Sequence, residues 1–78
     1  MIDRRQVRAA RGWLGMEAQE LARLVGVNRD TLYRFEHGER HMRPATLGRI
    51  RRILEQHGIA FTFTRDGEPL GIEENPHR

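Results

Sequence analysis

Gly26 restricts the fold of this chain more than any other residue, because it separates two short segments with helical hydrophobic periodicity. We predict a helix over about residues 17–25, and the glycine follows it where a left-handed C-terminal turn requires one. A second helix is predicted over residues 28–37, with Asn28 as a favourable N-cap. Ala22 is small where the second helix must cross the first closely, so the two helices form a tight pair.

The apolar residues of these two helices separate an inner face from an outer face. The inner face is predicted to consist of Leu21, Ala22, Leu24, Val25, Val27, Leu32 and Phe35. Five polar or aromatic residues lie on the outer face of the second helix, separated by steps of one, three or four positions: Arg29, Asp30, Tyr33, Arg34 and His37. A helix that projects in this way fits the major groove of B-DNA, which is the docking mode of helix-turn-helix proteins.

Two further helices flank this pair. Asp3 and Gln6 have the spacing of a capping box, which predicts a helix from Asp3 to about Arg11. Pro44 suits the first turn of another helix, which Gly58 ends. The sequence therefore predicts a bundle with at least four helices.

A strand is predicted after the last helix. Ile59, Phe61 and Phe63 alternate with smaller residues over residues 59–64. Because a lone strand is not stable, it pairs either with a return strand at residues 70–72 or with its own copy in a second chain. We favour the second pairing, which makes the three apolar residues a homodimer interface and suits the two-fold symmetry of DNA operators.

The charge of the chain is unevenly distributed. All 14 basic residues are Arg, and residues 1–64 hold 12 of them with 7 acidic residues, a net charge of +5, whereas residues 65–78 have a net charge of −2. A basic body indicates an anionic partner, most commonly nucleic acid, although a soluble surface that leans positive is the alternative. The chain has no Cys and no apolar run of the roughly 20 residues that a membrane span needs, which fits a reduced cytoplasmic protein.

Other chemistry finds little support in the sequence. His37 and His41 are four residues apart, but Gly38 interrupts the helix between them and no third ligand is evident, so no metal site and no cofactor are predicted. The sequence has no evident Ser, His and Asp arrangement and no phosphate-binding glycine loop, so we expect a binding protein and not an enzyme. Trp13, beside Leu14 at a helix end, is expected to pack against the protein.

The stretch LGMEAQELARLVGVNRDTLYRFEHGER resembles the phage-repressor and Cro-type helix-turn-helix regulators, also called the xenobiotic-response-element family. The similarity covers about residues 7–61. Its marks are Arg11, Leu14, Gly15, Leu21, Ala22, Gly26, Val27, Thr31, Leu32, Glu36, Gly38, Pro44, Thr46 and Leu47. The resemblance implies a compact bundle of four or five helices, followed here by the strand or hairpin, and a sequence-specific double-stranded DNA-binding transcriptional regulator that acts as a repressor.

The resemblance also implies roles for particular residues. The base-reading positions are Arg29, Asp30, Tyr33 and Arg34. The phosphate-contacting positions are Gln19, Asn28, Thr31, Arg40, His41 and Arg43. Arg11 and Glu36 form a structural pair between the first and third helices, and Arg11 gains a phosphate contact from that position. Because Arg pairs with guanine through two hydrogen bonds and Asp accepts from cytosine, we hypothesise an operator with G·C pairs.

Two points stay open at the sequence level. Asp30 either orients Arg34 through an i,i+4 ion pair or contacts a base itself. The family usually has Ser, Thr or Asn at the start of its second helix and Gln next, whereas this chain has Glu17 and Ala18, so the backbone anchor of that helix is in doubt and Gln19 is its candidate substitute.

We predict that residues 1–58 form the helix-turn-helix DNA-binding domain and that residues 59–78 form a strand or hairpin and an acidic tail, a candidate dimerisation element. Two alternatives to a repressor remain. One is an antitoxin that binds a toxin partner and autoregulates its promoter. The other is a protein-interaction module whose degenerate helix-turn-helix no longer binds DNA.

Overall fold

Four helices precede a β-hairpin in the computed structural model, which describes residues 1–75. The elements are α1 (Arg4–Leu14), α2 (Ala18–Val25), α3 (Arg29–Glu36), α4 (Pro44–Gln56), β1 (Ile59–Phe63) and β2 (Pro69–Glu74). The predicted fold class, a mainly helical bundle with a C-terminal strand or hairpin, is confirmed. His77 and the end of the predicted acidic tail lie outside the described residues.

The first helix begins where the sequence predicts and ends later. Asp3 accepts hydrogen bonds from two backbone N–H groups, and the Gln6 side chain accepts one from the backbone of Asp3, so both halves of the capping box are present. The predicted end at about Arg11 is wrong, because α1 continues through Gly12 to Leu14. The helix ends at Gly15, whose φ of 65° is a left-handed C-cap that glycine adopts without strain.

The turn between α2 and α3 has the predicted geometry. Gly26 has a φ of 91° and donates its N–H to the carbonyl of Ala22, which closes α2. The side-chain oxygen of Asn28 accepts the N–H of Thr31 at 2.8 Å and caps α3. The prediction that Leu24 belongs to the inner face is wrong. Leu24 is 37% exposed, because it lies outside the apolar stripe by which α2 packs on its neighbours.

The core lies between the helices and one face of the hairpin. Its largest fully buried apolar side chains are Val7, Leu21, Leu32, Ile50, Leu54 and Ile59. Burial of each such side chain contributes roughly 1.5–3 kcal/mol. Trp13 does not join this core: it is 62% exposed, so the expectation that it packs against the protein is wrong. Among residues 1–75, no helix combines the length and the apolar character that crossing a bilayer needs.

The hairpin shows that the predicted pairing of the strand with its copy in a second chain is wrong. β1 pairs antiparallel with β2 of the same chain, with Phe61 opposite Ile72. Ile59 and Phe61 are buried in the chain's own core, so these two side chains are not free to form the dimer interface that the sequence favours, whereas Phe63 is half-buried and packs against the core. A return strand six residues long supplies the partner within the chain, and closing a short loop costs less entropy than associating two chains.

Gln6 joins α1 to this hairpin. Its side-chain amide donates one hydrogen bond to the carbonyl of Thr62 and another to that of Gly71, both at 2.9 Å. These two residues face each other across the strands, beside the register shift between Thr62 and Phe63. Gln6 is therefore a buried connector as well as a capping residue.

Candidate nucleic-acid interface

The outer face of α3 projects from the bundle. α3 spans Arg29–Glu36, so the ends of the predicted helix, residues 28 and 37, are its caps. The outer face of α3 and its C-cap residue together present five exposed polar or aromatic residues: Arg29, Asp30, Tyr33, Arg34 and His37. Leu32 and Phe35 are buried on the opposite side, where α3 packs on α1 and α2. The helix is thus fixed by its apolar side, and its polar side is free to meet a ligand as large as a duplex.

Asp30 and Arg34 form an ion pair on this face. The Nε of Arg34 donates to Asp30 at 2.8 Å, in the i,i+4 arrangement. This hydrogen bond raises the pKa of Arg34. Because Arg34 uses Nε for this hydrogen bond, its two terminal nitrogens can still donate, and a guanine edge accepts such a pair of donors.

Arg11 and Glu36 link α1 to the end of α3. Nε and Nη2 of Arg11 donate to the two carboxylate oxygens of Glu36 at 2.7 and 2.6 Å, and Nη1 donates to the carbonyl of Met16 at 3.0 Å. The hydrogen bond to Glu36 raises the pKa of Arg11. Glu36 is only 2% exposed, so this pair positions α3 as well as carrying charge.

A cleft of about 340 Å³ lies between Arg11 and the beginnings of α2 and α3. Its lining is Arg11, Glu17, Ala18, Gln19 and Arg29. The structure thus brings three predicted DNA-contacting side chains together in one cleft. Arg11 and Gln19 are predicted from the sequence to contact phosphates, and Arg29 is predicted to contact bases. Glu17 is the N-cap of α2 and makes no side-chain hydrogen bond to the helix, so its carboxylate lies in the same cleft without capping the helix.

The comparison with known proteins decides the family. A family model described as a helix-turn-helix domain matches residues 4–59, which is most of the chain. The chain belongs to the helix-turn-helix domain family. No curated protein matches it. Membership of this family supports the general function of a DNA-binding regulator.

In this helix-turn-helix domain, the loop between α3 and α4 presents a second basic surface. Arg40 and His41 line a cleft of about 310 Å³ together with Arg4, which the sequence does not single out. The Nη1 of Arg4 donates to the carbonyl of Glu36 at the end of α3. Arg43 lies apart from this cleft, as the N-cap residue of α4.

Gly38 is required by its backbone conformation. It has a φ of 77°, which strains any residue with a β-carbon. A β-carbon there would lie 3.1 Å from the Nε of Arg4, and this exposed side chain would have to shift by a few tenths of an ångström. The spacing Glu36-x-Gly38 marks this helix end in the sequence, but the contact with Arg4 spans more than 30 residues and leaves no local signal.

Tyr33 and His37 form a stacked pair that the helix-turn-helix motif does not predict. Their ring centroids are 4.0 Å apart at an interplanar angle of 22°. The Nδ1 of His37 lies 2.8 Å from the carbonyl of Tyr33. Because a carbonyl only accepts, Nδ1 carries the proton, and Nε2 is the nitrogen left for other contacts. The i,i+4 spacing of two rings on an exposed face is the sequence signal for this contact.

The predicted phosphate contacts Asn28 and Thr31 are partly committed to the helix. The Asn28 oxygen holds the cap, which leaves its amide N–H groups for a phosphate, and the Thr31 side chain is half-buried. No group of three His, Cys, Asp or Glu side chains in residues 1–75 is arranged to hold a metal ion.

Proposed function

We propose that this protein is a sequence-specific, double-stranded DNA-binding transcriptional repressor of the phage-repressor and Cro type, and that α3 enters the major groove. The observation that carries the proposal is the outer face of α3. It presents two exposed arginines, Arg29 and Arg34, on a helix whose apolar side and far end are fixed by the core and by Glu36. A rigid helix with such donors is what direct base recognition needs.

Within this proposal, Arg34 recognises guanine with its terminal nitrogens, and Asp30 holds it in place. The ion pair between the two side chains supports the role of Asp30 as an organiser of Arg34. Arg29 and Tyr33 contact neighbouring bases. Each good bidentate contact discriminates against a wrong base by about 1–3 kcal/mol, so we expect the operator to contain G·C pairs.

The phosphate contacts flank α3 on both sides. On one side are Arg11, Gln19, Asn28 and Thr31, and on the other are Arg40, His41 and Arg43. In the cleft at the start of α2, which Arg11 and Arg29 line together with Glu17, Gln19 replaces the anchor that Ala18 lacks. Phosphate contacts fix the register on DNA but carry no sequence information.

The repressor acts in the cytoplasm by occupying its operator as a two-fold homodimer. Residues 1–58 bind DNA, and residues 59–78, which comprise the hairpin and the acidic tail, support dimerisation. The net positive charge of the chain supports attraction to the duplex over long distances.

A selection of bound sequences from random duplex DNA, repeated at two salt concentrations, tests the function. We expect one enriched motif with G·C pairs, which Arg34→Ala degrades at a single position. The double variant Arg40→Ala and Arg43→Ala is expected to weaken binding to all sequences alike and to lower the salt slope by about two. Arg65→Ala, which removes one charge in the hairpin turn, is the matched control and leaves the motif unchanged.

Two results would contradict the proposal. Binding without any enriched motif would make the chain a nonspecific DNA-binding protein. Absence of binding at low salt would favour a protein-interaction module, and the exposed carboxylate of Glu17 at the start of α2 is the observation that supports this second candidate.

A further inference from the structure

A cleft of about 450 Å³ opens on the outer face of α3. Its lining consists of three exposed residues from the first two turns of the helix, Arg29, Asp30 and Tyr33. The proposed function places this face of α3 against the base edges of the major groove. The chemistry of the cleft then indicates which group of a base pair it receives.

The ring of Tyr33 has one face covered and the other face directed to the cleft. His37 stacks on it with ring centroids 4.0 Å apart at an interplanar angle of 22°. Because helical side chains lean toward the N-terminus, the ring of Tyr33 extends over the turn that holds Arg29 and Asp30, and the ring of His37 extends over Tyr33. The side chain of Tyr33 is still 51% exposed. The phenol ring thus forms an apolar wall of the cleft, supported from behind by His37.

The two charged residues of the cleft differ from Tyr33 in what they can bind. Arg29 forms no ion pair within residues 1–75, so its guanidinium is free to donate to a base. The carboxylate of Asp30 already accepts from the Nε of Arg34. The hydroxyl of Tyr33 lies at the tip of the ring, and the face of the ring carries no hydrogen-bonding group. This face therefore requires an apolar partner.

Thymine supplies such a partner in the major groove, where it presents the methyl group on C5 beside its O4 acceptor. The groups by which the other bases are recognised in this groove are N–H donors and O or N acceptors. A ring face pressed against one of these would remove water from it without replacing the lost hydrogen bond, which costs free energy. Thymine is thus the base that suits the face of Tyr33.

The spacing along α3 limits where this thymine lies. Arg29 and Tyr33 are four residues apart, which corresponds to about 6 Å along the helix axis. Successive base pairs of B-DNA are about 3.4 Å apart. For a helix that follows the groove, the thymine therefore lies within about two base pairs of the base that Arg29 contacts.

We propose that Tyr33 recognises a thymine of the operator by contact between its ring and the C5 methyl group, while His37 supports the other face of the ring. Besides its G·C pairs, the operator then contains a T·A pair within about two base pairs of the Arg29 contact. The inference rests on the proposed function and adds a determinant of sequence preference that needs no hydrogen bond to a base.

Uracil lacks only the C5 methyl group of thymine, so replacing the thymines of the selected operator by uracil, one at a time on both strands, tests this contact. Fluorescence anisotropy measures the affinity for each duplex. We expect one replacement to weaken binding of the wild type about fourfold, which is the effect of one buried methyl group. Replacement of the other thymines is expected to leave the affinity unchanged.

Three variants identify the side chain responsible. Tyr33→Ala removes the ring and is expected to bind both duplexes, with thymine or with uracil at the sensitive position, equally. Tyr33→Phe keeps the ring and is expected to keep the fourfold difference. Arg40→Ala is the matched control, because it weakens binding through a phosphate and is expected to keep the fourfold difference as well. A change in the shape or stacking of the DNA itself would act on all four proteins alike.

Several results would overturn the inference and leave the proposed function intact. An operator that tolerates uracil at every position shows that no methyl group is recognised. A fourfold difference that persists in Tyr33→Ala assigns the methyl contact to another residue, and one that disappears in Tyr33→Phe assigns the effect to the hydroxyl. If the selection enriches no motif at all, the sequence-specific function fails, and this inference fails with it.

Discussion

Arg11 donates to both carboxylate oxygens of Glu36 at 2.6 and 2.7 Å, and this pair ties α1 to the last residue of α3. Glu36 has only 2% of its surface exposed, so its charge depends on Arg11 for compensation. Arg11 also reaches the carbonyl of Met16 and so fixes the turn into α2. One guanidinium thus sets the relative positions of three helices.

We expect Arg11→Met to lower the free energy of unfolding by about 3 kcal/mol, because it leaves a buried carboxylate without a partner. Urea unfolding followed by circular dichroism measures the loss. The double variant Arg11→Met and Glu36→Leu is expected to recover most of it, since an apolar pair removes the uncompensated charge. Arg23→Met, an exposed change on α2, serves as the control and stays within about 0.5 kcal/mol of the wild type. Equal losses in the single and double variants would contradict this account.

The acid dependence of stability is expected to include a contribution from Asp3. Partial burial raises the pKa of Asp3, but hydrogen bonds from Gln6 and Arg5 together with the charge of Arg5 outweigh it and bring the pKa below its ordinary value of 3.8. A depressed folded-state pKa stabilises the protein above pH 3.8, and that contribution is lost as the pH falls through the folded-state value.

The variant Asp3→Asn removes the negative charge of residue 3 but keeps its helix cap. Asparagine caps a helix about as well as aspartate, so at neutral pH we expect this variant to lose only about 0.5 kcal/mol, from the helix dipole and the exposed ion pair with Arg5. The difference from the wild type is expected to vanish in strong acid. Asp3→Ala removes the cap and is expected to lose about 1 kcal/mol at neutral pH. Urea unfolding at several pH values measures both, and a difference that grows in acid would refute the assignment.

Local signals made the helix starts and the central turn predictable. Asp3, Gly26 and Asn28 act on backbone within four residues of themselves, so their residue types are sufficient evidence for the caps and the turn that they form. The overrun of α1 to Leu14 was not predictable in the same way. Gly12 and Gly15 are both able to end a helix, and the choice between them depends on how α1 packs.

The parts of the candidate site that the sequence misses depend on contacts between distant segments. Arg4 reaches the end of α3 across 32 residues, and Gln6 reaches Gly71 across 65. Neither contact changes the local pattern of polar and apolar residues. The partner of β1 was ambiguous for the same reason, because alternation shows that a strand has one buried face but not which strand lies beside it.

Gln6 is expected to be essential for docking the hairpin. Gln6→Leu leaves the carbonyls of Thr62 and Gly71 without their donor, and we expect a loss of about 2 kcal/mol in the free energy of unfolding. Gln6→Glu is expected to lose more at neutral pH, because a carboxylate cannot donate and would face two carbonyl oxygens.

The two variants are expected to differ in acid. Burial against carbonyls raises the folded-state pKa of the new glutamate above its unfolded value, so Gln6→Glu regains stability relative to the wild type as the pH falls through that range. Gln6→Leu has no such dependence. Thermal unfolding at neutral and acidic pH, with the wild type at each pH as the reference, measures the contrast. Parallel behaviour of the two variants would show that the amide does not donate to the hairpin.

His37 is expected to hold Tyr33 in the orientation from which it contacts DNA. The rings stack at 4.0 Å, and the Nδ1–H of His37 binds the carbonyl of Tyr33, so removing the imidazole frees the phenol ring to rotate. We expect His37→Ala to reduce the preference for the selected operator over random duplex by about threefold, the size of one aromatic contact. Fluorescence anisotropy with the two duplexes measures this ratio.

His37→Phe is the matched variant, because it keeps the stacked ring and loses only the hydrogen bond. It is expected to retain most of the operator preference, whereas Tyr33→Ala is expected to lose at least as much as His37→Ala. An equal loss in the Ala and Phe variants would instead assign the effect to the imidazole nitrogens, as a direct contact with DNA. A preference unchanged in all three variants would remove both rings from the interface and leave recognition to Arg29 and Arg34.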